Sequence, residues 1–75
     1  MTKLPGEVPF ARFLRVMSRF GWTVLHVRGS HHQLQHPDVP NVITVYAAHG
    51  TISRALMKKV LKDARIEEEA FAVEL

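Results

Sequence analysis

From Trp22 to Tyr46 the chain holds three short extended stretches, and no connection between them is long enough to bring a parallel strand back. Trp22 to Arg28 is rich in Val, Thr and Trp and reads as a strand. Gly29-Ser30 reads as a turn, and a second strand follows from His31 to His36, ended by Pro37-Asp38. A third strand is expected from Val42 to Tyr46, after a turn at Pro40-Asn41. Parallel neighbours need a crossover of a dozen or more residues, so these three can only form an antiparallel meander.

The flanking segments repeat at helical spacing. Pro9 to Phe20 predicts an amphipathic helix: Phe10, Phe13, Leu14, Val16 and Met17 recur on one side, with Arg12, Arg15 and Arg19 elsewhere on the wheel. Proline is tolerated in a first turn because the N–H it lacks has no partner there, and Gly21 is a typical C-terminal stop. This aromatic stripe is expected in the core rather than as a base-stacking platform. Thr51 or Ser53 is expected to cap a second helix, with Ile52, Leu56, Val60 and Leu61 on one face and Arg54, Lys58, Lys59 and Lys62 on the other. Glu67-Glu68-Glu69-Ala70-Phe71 predicts a last helical turn with acids at its positive end. The expected fold is α+β in the order α-β-β-β-α, one domain over residues 1–75. Two helices cover one face of a three-stranded antiparallel sheet, a short helical tail follows, and the other face is left open to water and to a ligand.

Composition narrows the function classes. Seventy-five residues leave no room for a second core, since so short a chain buries only about 60% of its unfolded surface. There is no cysteine, which excludes a disulfide scaffold and a thiolate zinc site and makes a reducing cytoplasm the expected compartment. No apolar run reaches signal-peptide length or the ~20 residues of a membrane span, so no membrane partner is expected. The net charge of +3 conceals an asymmetry: Glu67, Glu68, Glu69 and Glu74 sit in the last nine residues. Residues 1–66 carry all ten Lys and Arg against Glu7, Asp38 and Asp63, a balance of +7. Such a body suits a polyanion, although a solvated basic face explains the charge equally well.

Five histidines are present, three of them in His31-His32-Gln33-Leu34-Gln35-His36. Strand alternation sends His32 and His36 to the same side as Leu34, toward the helices, and His31, Gln33 and Gln35 to the open face. A bulge at Gly29-Ser30 would reverse the assignment. Three roles stand open. A satisfied polar residue at the rim of the core is the default for any one of them. A metal site lacks cysteine and has few acids nearby, and adjacent His31 and His32 point to opposite faces. Catalysis is the third: imidazole, with an ordinary pKa of about 6.5, exchanges protons near neutrality. An exposed histidine on a basic face can promote attack of a ribose 2′-hydroxyl on the neighbouring phosphorus without a metal, a contribution of ~10²–10⁴-fold.

Leu4-Pro5-Gly6, Phe20-Gly21-Trp22, Val27-Arg28-Gly29-Ser30-His31-His32, His36-Pro37-Asp38, Thr44-Val45, His49-Gly50, Leu61-Lys62-Asp63-Ala64 and Glu68-Glu69-Ala70-Phe71 follow one another along nearly the whole chain. In this order and spacing they resemble the HicA/YcfA family of mRNA-interferase toxins. The interval from Gly29-Ser30-His31 to His36-Pro37-Asp38 is the most specific. The resemblance implies a fold like the double-stranded-RNA-binding domain, which has the same element order. It implies an endoribonuclease that cleaves mRNA with a histidine on the second strand, needs no cofactor, and is neutralised by a HicB-like antitoxin. Carried over by position, the catalytic residue is His31, with His32 in reserve. RNA would be gripped by Arg28, Gly29, Ser30, Arg54, Lys58, Lys59 and Lys62. Two departures stand out: Tyr46-Ala47-Ala48 and a shortened His49-Gly50-Thr51 link replace a proline and a longer loop, and Arg65 stands where many relatives end the second helix with glycine. A non-catalytic RNA-binding module of the same fold is the alternative, and a subunit that binds only protein is a third reading.

Overall fold

The computed structural model describes residues 2–47 and 49–75, so Met1 and Ala48 lie outside the described residues. In chain order the elements are β1 (Glu7–Pro9), α1 (Phe10–Arg19), β2 (Thr23–Arg28), β3 (His31–His36), β4 (Val39–Tyr46), β5 (Thr51–Ser53), α2 (Arg54–Ala64) and α3 (Glu68–Glu74). β2, β3 and β4 form the expected antiparallel sheet with β3 in the middle. β1 and β5 pair separately, Val8 opposite Ile52, and both side chains are buried. This small ribbon ties the start of α1 to the start of α2, and the Phe10 N–H donates to the Gly50 carbonyl at 2.8 Å.

Several local expectations are corrected. Pro9 closes β1 and caps α1 from outside, its ψ of 134° being extended rather than helical. Ile52 belongs to β5 rather than to the second helix, and Thr51 pairs with Pro9. The cap is therefore Ser53, whose hydroxyl accepts from the Leu56 N–H at 3.3 Å. The third strand begins at Val39, not Val42, because the turn is Pro37-Asp38 and not Pro40-Asn41. The Asp38 N–H donates to His36 Nδ1 at 3.0 Å, which holds that turn closed. Pro40 is tolerated because β4 is an edge strand and its register with β3 breaks between Leu34 and His36.

The helices end as their sequences require. The Gly21 N–H donates to the Ser18 carbonyl and the Trp22 N–H to that of Met17, a Schellman closure with Gly21 at φ +90°. Trp22 is thereby turned into the core, where it is 2% exposed. The core is built from Phe10, Phe13, Val16 and Met17 of α1, Leu34, Ile43 and Val45 of the sheet, Met57, Val60, Leu61 and Ala64 of α2, and Phe71 of α3. Phe71 packs its ring 5.4 Å from Phe13 and 6.0 Å from Phe20, which docks the tail. Burial of each such large side chain stabilises the fold by roughly 1.5–3 kcal/mol. Among the described residues no helix is long and apolar enough to cross a membrane.

Candidate nucleic-acid interface

The β2–β3 hairpin is closed by Gly29-Ser30, with Gly29 at φ +59°. Glycine with positive φ at the first of two turn positions is the type II′ arrangement, whose twist suits a hairpin. A two-residue turn fixes the register: Arg28 faces His31, Val27 faces His32 and His26 faces Gln33. Across the other edge of β3, His31 faces Tyr46, His32 faces Val45, Gln33 faces Thr44 and Leu34 faces Ile43. The Ala47 N–H donates to the Ser30 carbonyl at 3.0 Å and anchors the hairpin tip to the end of β4.

Leu34, Ile43 and Val45 are buried toward the helices, so the residues paired with them share that side. His32 is half-buried there, its ring meeting that of Phe10 edge-on at a centroid distance of 4.6 Å. Its Nδ1 lies 3.3 Å from the Ser30 carbonyl; since a carbonyl only accepts, Nδ1 carries the proton. His36 is half-buried against Trp22 at 5.2 Å. Its Nδ1 accepts from Asp38, so Nε2 carries the proton and donates to the Phe20 carbonyl at 3.0 Å. Both nitrogens of His36 are thus committed to holding the end of α1 and the β3–β4 turn.

The opposite side of the sheet is polar and open. Its outermost row runs Arg28, His31, Tyr46 across the three strands, and the next runs His26, Gln33, Thr44. His31 is exposed, and its ring lies 4.9 Å from that of Tyr46. No side-chain hydrogen bond holds His31 among the described residues, which leaves its imidazole available to a ligand. Arg28 is exposed directly across from it.

The basic residues of α2 lie in the other layer. Lys58, Lys59 and Lys62 are exposed on α2. The Arg54 Nε donates to the Leu4 carbonyl at 3.0 Å, which gives that side chain a structural task as well. Lys58 sits 4.0 Å from Glu68 in an exposed ion pair, while Lys59 and Lys62 have no such partner among the described residues. Lys59 also lines a polar depression with Asp63, Arg65 and the β4 residues Val39 and Asn41–Thr44. The structure therefore brings Arg28, Gly29, Ser30 and His31 together at one hairpin and keeps Arg54, Lys58, Lys59 and Lys62 apart from them. No group of three or more His, Asp or Glu side chains converges as for a metal among the described residues.

A model of the HicA toxin of bacterial toxin-antitoxin systems matches residues 10–66, from the start of α1 to the residue after the α2 cap. The chain belongs to the HicA toxin family. No curated protein and no solved structure matches it. The matched span contains the whole β2–β3–β4 sheet and both of its covering helices, whereas β1 and α3 fall outside it. As a HicA toxin it has an antitoxin for a counterpart. His26 and Tyr46 share the face of His31, and their placement does not follow from strand composition alone. Counting back from the two-residue turn brings His26 opposite Gln33, and so onto the His31 face; Tyr46 depended on the start of β4, which the Pro40-Asn41 reading had displaced.

Proposed function

We propose that this HicA-family chain is an endoribonuclease that cleaves mRNA with His31, without a metal cofactor, and that a HicB-like antitoxin silences it by binding. The observation that carries the reading is the contrast among three neighbouring imidazoles. His32 and His36 are half-buried and hydrogen-bonded to backbone, whereas His31 is exposed beside Arg28 on an open polar face. A guanidinium across the strand suits a phosphodiester, which it meets through paired N–H donors. His31 then removes the proton of the adjacent 2′-hydroxyl as that oxygen attacks phosphorus. Gly29 and Ser30 shape the hairpin that presents both groups, and the lysines of α2 with Arg54 extend the grip on the backbone.

Cleavage of a defined mRNA in excess EDTA tests this directly. The expected products carry a 2′,3′-cyclic phosphate, DNA of the same sequence stays whole for want of a 2′-hydroxyl, and His31→Ala gives no product. Loss of cleavage on chelation, or an active His31→Ala protein, sinks the reading.

A further inference from the structure

Transfer of a phosphoryl group to a 2′-hydroxyl moves two protons, one off the attacking oxygen and one onto the departing 5′-oxygen. The two oxygens lie roughly in line on opposite sides of phosphorus, so one imidazole cannot reach both at once. Resting on the endoribonuclease reading above, we propose that His26 is the second catalytic group, the general acid that protonates the leaving 5′-oxygen.

The register supplies the geometry. His26 faces Gln33 and Arg28 faces His31, so His26 is the diagonal cross-strand neighbour of His31 on the same face. Diagonal neighbours stand about 7–8 Å apart at the backbone, within reach of two side chains that converge on one phosphate. Arg28 lies on the same strand and face as His26, two positions along, and completes a triangle around that phosphate. Regular alternation back from the turn sets His26 on the open side, and the register break that follows puts Leu25 out of the ladder and returns Val24 to the side of Leu34. His26 is exposed, and no side-chain hydrogen bond engages it among the described residues. The groups facing it are Arg28 on its own strand and His31 and Gln33 on β3, none of them acidic.

The step balances within these groups. His31 takes the 2′-hydroxyl proton while the new P–O2′ bond forms. The P–O5′ bond breaks, its electron pair stays on the 5′-oxygen, and the imidazolium of His26 supplies the proton. The products are a 2′,3′-cyclic phosphate and a 5′-hydroxyl end, and exchange with water restores both histidines.

An RNA with sulfur in place of the bridging 5′-oxygen tests the assignment, because a thiolate departs without protonation. His26→Ala is expected to slow cleavage of ordinary RNA by ~10²–10⁴-fold and to cut the sulfur-bridged RNA at close to the wild-type rate. His31→Ala should give no product from either. Thermal melts and RNA affinity of His26→Ala and His26→Gln are expected to match the wild type, which separates proton transfer from folding and binding. Wild-type speed of His26→Ala on ordinary RNA, or an equal deficit on both substrates, overturns the role given to His26 and leaves the nuclease reading standing. A wild-type protein that cuts neither RNA overturns the endoribonuclease reading, and this inference with it.

Discussion

His31, His32 and His36 share one strand and differ only in what surrounds each ring. Parity from Leu34 was enough to send His31 to the open face, because β3 is central and unbroken from His31 to Leu34. The partners of the other two were not legible, since they come from distant segments: Phe10 beneath His32, the Phe20 carbonyl beside His36. These surroundings give opposite expectations. His31→Ala should abolish cleavage and, because both His31 and the Tyr46 ring it meets are exposed, cost less stability than the loss of a half-buried ring does. His32→Ala loses an edge-on aromatic contact, which typically contributes about 0.5–1.5 kcal/mol beyond area, and should melt earlier yet still cut at a permissive temperature. Melting curves and cleavage rates on the two proteins check both. A His32→Ala protein that is stable and inactive would reverse the assignments.

The two main helices close with the same hydrogen-bond pattern on different residues. At the end of α2 the Arg65 N–H donates to Lys62 and the Ile66 N–H to Leu61, with Arg65 at φ 60°. A non-glycine residue in that region is strained by roughly 1–2 kcal/mol, part of which glycine gives back through the greater freedom of its unfolded chain. Arg65→Gly should therefore raise stability by roughly 0.5–1 kcal/mol, or about 2–8 °C in Tm for a chain this size. Gly21→Ala should do the reverse: beyond the strain at φ +90°, its new Cβ would stand 2.6 Å from His36 Nε2, the atom that bonds the Phe20 carbonyl. A loss above about 1 kcal/mol is expected, measurable by denaturant titration. Helix stops and the central hairpin were legible because glycine has a specific backbone use at each. The ribbon of β1 and β5 was not, since three residues on each side carry no periodicity and pair across more than forty positions of sequence. Pro40 misled for a related reason: it reads as a turn until β4 is known to be an edge.

At the scale of the molecule the basic charge is divided between the open sheet, where Arg28 is the one basic residue of β2–β4, and the helices, which carry Arg12, Arg15 and Arg19 on α1 and Arg54, Lys58, Lys59 and Lys62 on α2. Charge counting found the excess but had no means of assigning it to surfaces. If RNA follows both, its backbone must pass around an edge of the sheet, and the depression lined by Lys59, Arg65 and β4 offers the route. Each phosphate contact releases counterions, so log affinity for single strands should fall by ~0.7 per contact with log salt. Arg28→Gln should lower that slope by ~0.7 and Lys59→Gln with Lys62→Gln by ~1.4, equally for different RNA sequences, because phosphate contacts position without specifying. Lys58 is a poorer probe, as its charge is already shared with Glu68. Fluorescence anisotropy across a salt series, in a His31→Ala background that binds and does not cut, measures all three slopes. An unchanged slope in the double lysine variant would confine the RNA path to the open sheet face, and an unchanged slope in Arg28→Gln would remove the phosphate from beside His31.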